Sequence, residues 1–161
     1  MTRGDRLLIT SGTILGVGFG GFVDGILLHQ ILQWHEMISS VVPPVDVVSI
    51  KLNMLYDGLF HAVMWTVTLV GVVLLARGLG GEPRRLPIAW TLGGSMLVGW
   101  GMFNVVEGLI DHQLLGLHHV HPGAGQLAWD VGFIVVSGLL VFIGGLILVR
   151  IVTTARLHPA M

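Results

Sequence analysis

Hydrophobic residues fall in four long charge-free runs, at 7–23, 58–76, 86–106 and 131–149, the second broken only by His61. Each approaches the roughly 20 residues that a helix needs to cross a bilayer. Chain breakers separate them: Val42-Pro43-Pro44, Gly80-Gly81-Glu82-Pro83 and His121-Pro122-Gly123. The first run has no small-residue cleavage site and leads straight into Asp24, so it reads as a retained span and not a signal peptide. The pattern predicts an all-α integral membrane protein, a bundle of four transmembrane helices. All 161 residues then form a single membrane domain.

Composition fits that solvent. Hydrophobic residues are 53% of the chain and charged residues 11%, against about 25% charged in soluble domains. Mean hydropathy is +0.86. With 8 Lys+Arg against 9 Asp+Glu, no basic patch is available for nucleic acid. Cysteine is absent, which removes disulfides and thiolate chemistry. Arg3, Arg6, Arg77, Arg84, Arg85, Arg150 and Arg156 lie at the two ends or in the middle loop, and Lys51 alone lies on the other side. The positive-inside rule places both termini and that loop in the cytoplasm. With no organelle signal, the expected location is a bacterial inner membrane. Trp34 and Trp129 then mark the outer interface and Trp90 the inner one. Gly12, Gly16 and Gly20 recur at the spacing that lets helices pack closely in lipid.

The chain also repeats itself. Residues 23–35 align without gaps on 106–118, sharing an acid-Gly-x-x-x-His-Gln-x-Leu-x-x-His pattern. Tyr56-Asp57, Gly71 and Arg77 match Trp129-Asp130, Gly144 and Arg150 at one offset. Two tandem helical hairpins are expected, about 7–77 and 86–150, related by an axis along the membrane normal. Counting about 1.5 Å per residue from the cytoplasmic arginines puts Asp24, Asp57, Glu107 and Asp130 in one layer, roughly 30 Å up. That is the outer edge of the hydrocarbon. Seven of the eight histidines lie in the same outer half.

Four carboxylates in one buried layer raise one another's pKa and resist ionisation, and each is costly in lipid. A bound cation removes both difficulties, and neutral imidazoles complete its coordination. The candidate ligands are Asp24, His29, His35, Asp57, His61, Glu107, Asp111, His112, His118 and Asp130. Asp57 and His61 share a helix face at four-residue spacing, as do Glu107, Asp111 and His118 at +4 and +7. Asp24 and His29, five apart, do so only if the helix widens into a π-turn, which Gly25 would allow. Asp24 and His35, eleven apart, return to one face. His29 and His112 can instead meet across the pseudo-twofold axis. His118, His119 and His121 at the outer mouth form a metal-capture site or a wet loop. Gln30 and Gln113 read as supporting hydrogen bonds, and Met37, Met54, Met64 and Met102 as packing. Glu36, Asp46 and Lys51 read as solvated surface, and His158 is given no role.

The segments 20–35, 55–61, 104–119 and 129–133 resemble the bacterial membrane family called domain of unknown function 2243, over nearly the whole chain. The resemblance implies a class and carries no activity. The His-x-x-His-His boxes of integral-membrane hydroxylases and desaturases are not reproduced.

Four functions compete. One is a membrane metalloprotein with a dinuclear centre of iron, zinc, manganese or Cu(II), acting as oxidoreductase or hydrolase on a hydrophobic substrate. Another is the handling of copper or a similar ion for a periplasmic or membrane metalloenzyme. The others are bis-histidine haem binding, which nearby acids oppose, and proton conduction. The lipid bilayer is the certain partner; oligomeric state is left open, although four helices can close their own bundle.

Overall fold

The computed structural model describes residues 1–157, so His158 lies outside the described residues. Among these residues every regular element is helical, and four rods account for them. Helix α1 is Arg3–Ile31 and α2 is Val47–Leu79. Helix α3 covers 88–114 and α4 covers 126–157. The rods outrun the apolar runs because the polar residues that flank those runs stay helical.

Local chemistry sets where they begin. Thr2 and Asp5 exchange side-chain-to-backbone hydrogen bonds at the start of α1, a capping box that satisfies free amides of the first turn. Asp46 and Ser49 do the same for α2, and the amides it binds hold the exposed Asp46 carboxyl below the usual range. Asp5 is fully buried, and its Oδ1 accepts from the amides of Arg85 and Leu86 at 2.9 and 3.0 Å. One carboxylate thereby ties the N-terminus to the middle loop.

Three rods, α1, α2 and α4, are long and apolar enough to cross a membrane. Helix α3 is nearly as long but carries Thr91, Ser95 and Asn104, all buried. Packing explains the difference. Helices α1 and α3 run side by side at the centre, with α2 against α1 and α4 against α3. Half of the most apolar stretch of α1 is buried, against 11% in α2 and in α4, so the outer pair presents valine, leucine and isoleucine to lipid. Central hydroxyls are satisfied within their own helices: Ser95 donates to the Thr91 carbonyl at 2.7 Å and Ser11 to that of Leu8 at 3.0 Å.

Glycine permits the close central contact. A Cβ on Gly16 would strike the carbonyl of Met96, and one on Gly99 would strike that of Thr13. The two approaches are reciprocal, since 16 and 13 lie 83 residues before 99 and 96.

Candidate metal centre

The C-terminal ends of α1 and α3 are not α-helix. Asp24–Ile31 and Gly108–Leu114 are π-helix, in which the amide bonds the carbonyl five residues back. Leu32 N–H bonds the Leu27 carbonyl and Leu115 N–H that of Ile110, both at 2.8 Å. Residues five apart therefore stack. His29 Nε2 comes to 3.1 Å from Asp24 Oδ2, and His112 Nε2 to 2.9 Å from Glu107 Oε1. The widening that the Asp24–His29 spacing required is present, in both rods.

Beyond each π-segment the chain turns back over the helix end at Gln33 (φ 51°) and Gly116 (φ 57°). The reversal drops one loop histidine onto each acid. His118 Nε2 lies 3.0 Å from Glu107 Oε1, and His35 Nε2 lies 3.9 Å from Asp24 Oδ1. His35 is not on a helix, so its approach to Asp24 comes from the turn and not from the face expected at eleven-residue spacing. Donor atoms of His29, His35 and His118 lie within 4.8 Å of one another, as do those of Glu107, His112 and His118. His35 and His118 stack at 4.7 Å, and His118 meets His29 and His112 edge-on. His29 and His112 are joined through these two rings.

The Nδ1 atoms fix the tautomers of two rings. His35 Nδ1–H donates to the Val120 carbonyl at 2.9 Å, and His118 Nδ1–H to that of Met37 at 3.0 Å. A carbonyl only accepts, so a neutral ring has spent its proton there and turns the bare Nε2 lone pair inward. Burial, with the neighbouring imidazoles of His118 and His29, holds His35 down to about 2, so it is neutral. His29 Nδ1 lies 3.0 Å from Asp57 Oδ1, and His112 Nδ1 lies 3.6 Å from Asp130 Oδ1. Asp24 Oδ1, Glu107 Oε2, the Nε2 of His29, His35 and His112, and also His112 Nδ1 are buried without a hydrogen-bond partner, the short carboxylate approaches of His29 and His112 Nε2 notwithstanding. At His118 and Glu107 two acceptors face each other at 3.0 Å. Only a proton or a metal cation between them relieves that contact.

Asp57 and Asp130 stand one layer out, and protein donors already use their oxygens. Asp57 accepts from Gln30 Nε2 at 3.0 Å and from the Met37 amide at 2.9 Å. Asp130 accepts from Gln113 Nε2 at 3.1 Å and the Val120 amide at 3.0 Å, with His119 Nδ1 at 2.7 Å. The glutamines thus have the supporting role read from sequence. His61 turns Nδ1 to the Asp57 carbonyl at 2.8 Å and lies outside both triads. Asp111 is half-buried and also lies outside them. Glu36, expected on solvated surface, is partly covered, and burial with the nearby Asp57 charge raises its carboxyl. The role of His119 on Asp130, and of the loop amides and carbonyls, carried no sequence signal.

A cavity of about 450 Å³ at the same end of the bundle is lined by Gln33, His35, Glu36, Ser39, His119 and Gln126, with Trp34 on its wall. No curated protein and no solved structure matches the chain. A family described as predicted membrane protein, domain of unknown function 2243, matches residues 11–151. The chain belongs to that family of predicted membrane proteins.

Proposed function

We propose that this is a four-span bacterial inner-membrane metalloprotein holding a dinuclear centre near the outer face. Asp24, His29 and His35 serve one ion, and Glu107, His112 and His118 the other, with His118 also near enough to His29 and His35 to reach the first. The observation that carries the reading is the set of buried inner atoms without partners, gathered while the outer nitrogens of His29, His35 and His118 are held by a carboxylate and two carbonyls. Metal-bound histidines are commonly oriented in this way through their other ring nitrogen. Two histidines and one carboxylate form a triad that leaves coordination positions open. Sulfur-free donors favour iron, zinc or manganese, with Cu(II) accommodated by the imidazoles. Metal bound there supplies Lewis acidity or an activated water. The protein orients the donors and excludes lipid, and the reaction class is an oxidoreductase or hydrolase acting on a hydrophobic substrate.

Asp57 and Asp130 are proposed to orient His29 and His112. His61 and Asp111 are not assigned to either ion. A tandem-repeat origin is supported by the paired bonds, in which partners at 29, 35 and 37 recur 83 residues later. Bis-histidine haem finds no support, because His29 and His112 direct Nε2 at carboxylates 3.1 and 2.9 Å away. Ion handling is favoured by one feature, the cavity that reaches His35 from outside.

Elemental analysis of protein purified from its native membrane tests the centre. About two ions per chain are expected, one per triad, falling to one or fewer in His118→Ala. Metal-free protein whose melting temperature rises in Asp24→Asn would indicate a proton path and overturn the reading.

A further inference from the structure

A second cavity lies beside the first. It is an apolar groove of about 370 Å³ between α1 and α4, lined by Leu28, Val120, Trp129, Phe133 and Val136, and it shares Trp34 with the polar mouth cavity. Its volume falls within the roughly 300–1,000 Å³ range of small-molecule sites. The groove is built on a third π-segment, Phe133–Leu140. Its polar groups are spent internally: Ser137 Oγ donates to the Phe133 carbonyl at 2.6 Å, and Asn104 Nδ2 to the Ser137 carbonyl at 2.9 Å. An occupant of the groove is offered apolar surface alone.

Two further observations give the groove a purpose. It is one-sided. A Cβ on Gly132 would meet no atom, so this position leaves the groove open. At the matching place in the other outer helix, 73 residues earlier, stands Leu59, in a segment that remains ordinary α-helix. The groove also abuts the centre, because Phe133 packs on the His112 ring at 5.4 Å and the Val120 carbonyl holds His35. Trp34 and Trp129, 5.3 Å apart, form its outer rim, where indoles meet the membrane interface.

We infer that the two cavities form one site for a single-chain amphiphile, its polar head in the mouth beside His35 and its apolar chain in the groove beneath Trp34. This deepens the metal-centre reading by naming the substrate class, and it rests on that reading only for the fate of the head. The polar cavity alone would suit a small solute and the groove alone any lipid tail. Their shared wall selects a molecule with both parts.

The test uses full-length protein in bilayer nanodiscs, with Trp65, Trp90 and Trp100 changed to Phe so that only Trp34 and Trp129 report. A chain-brominated long-chain alcohol should quench their fluorescence saturably, whereas phosphatidylcholine of equal bromine content should quench weakly and without saturation. Gly132→Leu fills the groove and should raise half-saturation at least tenfold; Gly132→Ala should stay within twofold. Val136→Phe fills it from the lipid side and carries the test should Gly132→Leu fail to fold. Equal, unsaturable quenching by both probes would mean ordinary bilayer lipid and overturn the inference, as would unshifted binding in both filled variants. Metal content is measured on the same samples. Saturable quenching in protein without metal would remove the centre and leave the groove, and a loaded centre without saturable quenching would do the reverse.

Discussion

The imidazoles of the centre differ in what holds their outer nitrogens. His35 and His118 are gripped by backbone carbonyls, His29 by a carboxylate, and His112 lies near one. Removing an orienting carboxylate leaves the donor present but poorly aimed. Asp57→Asn and Asp130→Asn should therefore keep the metal stoichiometry while lowering affinity about 10–100-fold, read by competition with a chelator of known strength. Loss of stoichiometry in Asp57→Asn, as in His118→Ala, would make Asp57 a ligand. His61→Ala should leave stoichiometry unchanged. Residue type and helical spacing named the neighbourhood of all these groups. They could not tell Asp24 from Asp57, because the difference is whether backbone amides and glutamine already occupy the oxygens. His35 shows the same limit from another side: its approach to Asp24 depends on the left-handed turn at Gln33, which no spacing rule reports.

The π-segments and the glycine contacts decide the element scale. Five-residue spacing put Asp24 and His29 on one face only if the helix widened, which Gly25 permits, with a meeting of His29 and His112 as the alternative. The π-segment in α4 had no such marker, since it carries no acid–histidine pair. Nothing in the sequence showed that α2 and α4 lie to the outside, because both are apolar all round. The central contact yields a sharp prediction. Gly16→Val or Gly99→Val forces α1 and α3 apart against a neighbouring carbonyl. Overpacking of this kind costs about 1–3 kcal/mol or more, so the melting temperature should drop and metal should be lost with it. Gly93→Val, where a Cβ would meet no atom, is the matched control and should change neither. Equal melting temperatures for Gly16→Val and Gly93→Val would refute the close approach.

For the whole molecule, the arginine distribution sets the orientation proposed here. A reporter at the C-terminus should score as cytoplasmic and one inserted near residue 45 as external; a reversed pattern would move the centre to the other face. Metal that binds only the folded bundle stabilises it by mass action, about 2.7 kcal/mol at a free concentration 100 times Kd. Chelation should lower the melting temperature of wild type more than that of His118→Ala. An equal chelator effect on both would detach stability from the centre.

The two loops that cap the centre are braced by each other. His35 leans on the Val120 carbonyl and His118 on that of Met37, and the Ser40 amide bonds the Leu117 carbonyl at 3.0 Å. During synthesis the first loop is made before its partner has been translated. The first triad therefore waits, lacking the carbonyl that aims His35, until the third and fourth helices have been inserted. On the proposed metal centre, ion acquisition is expected late in biogenesis. Cutting the chain within the middle loop and co-producing the fragments should restore metal uptake, whereas either fragment alone should recover none.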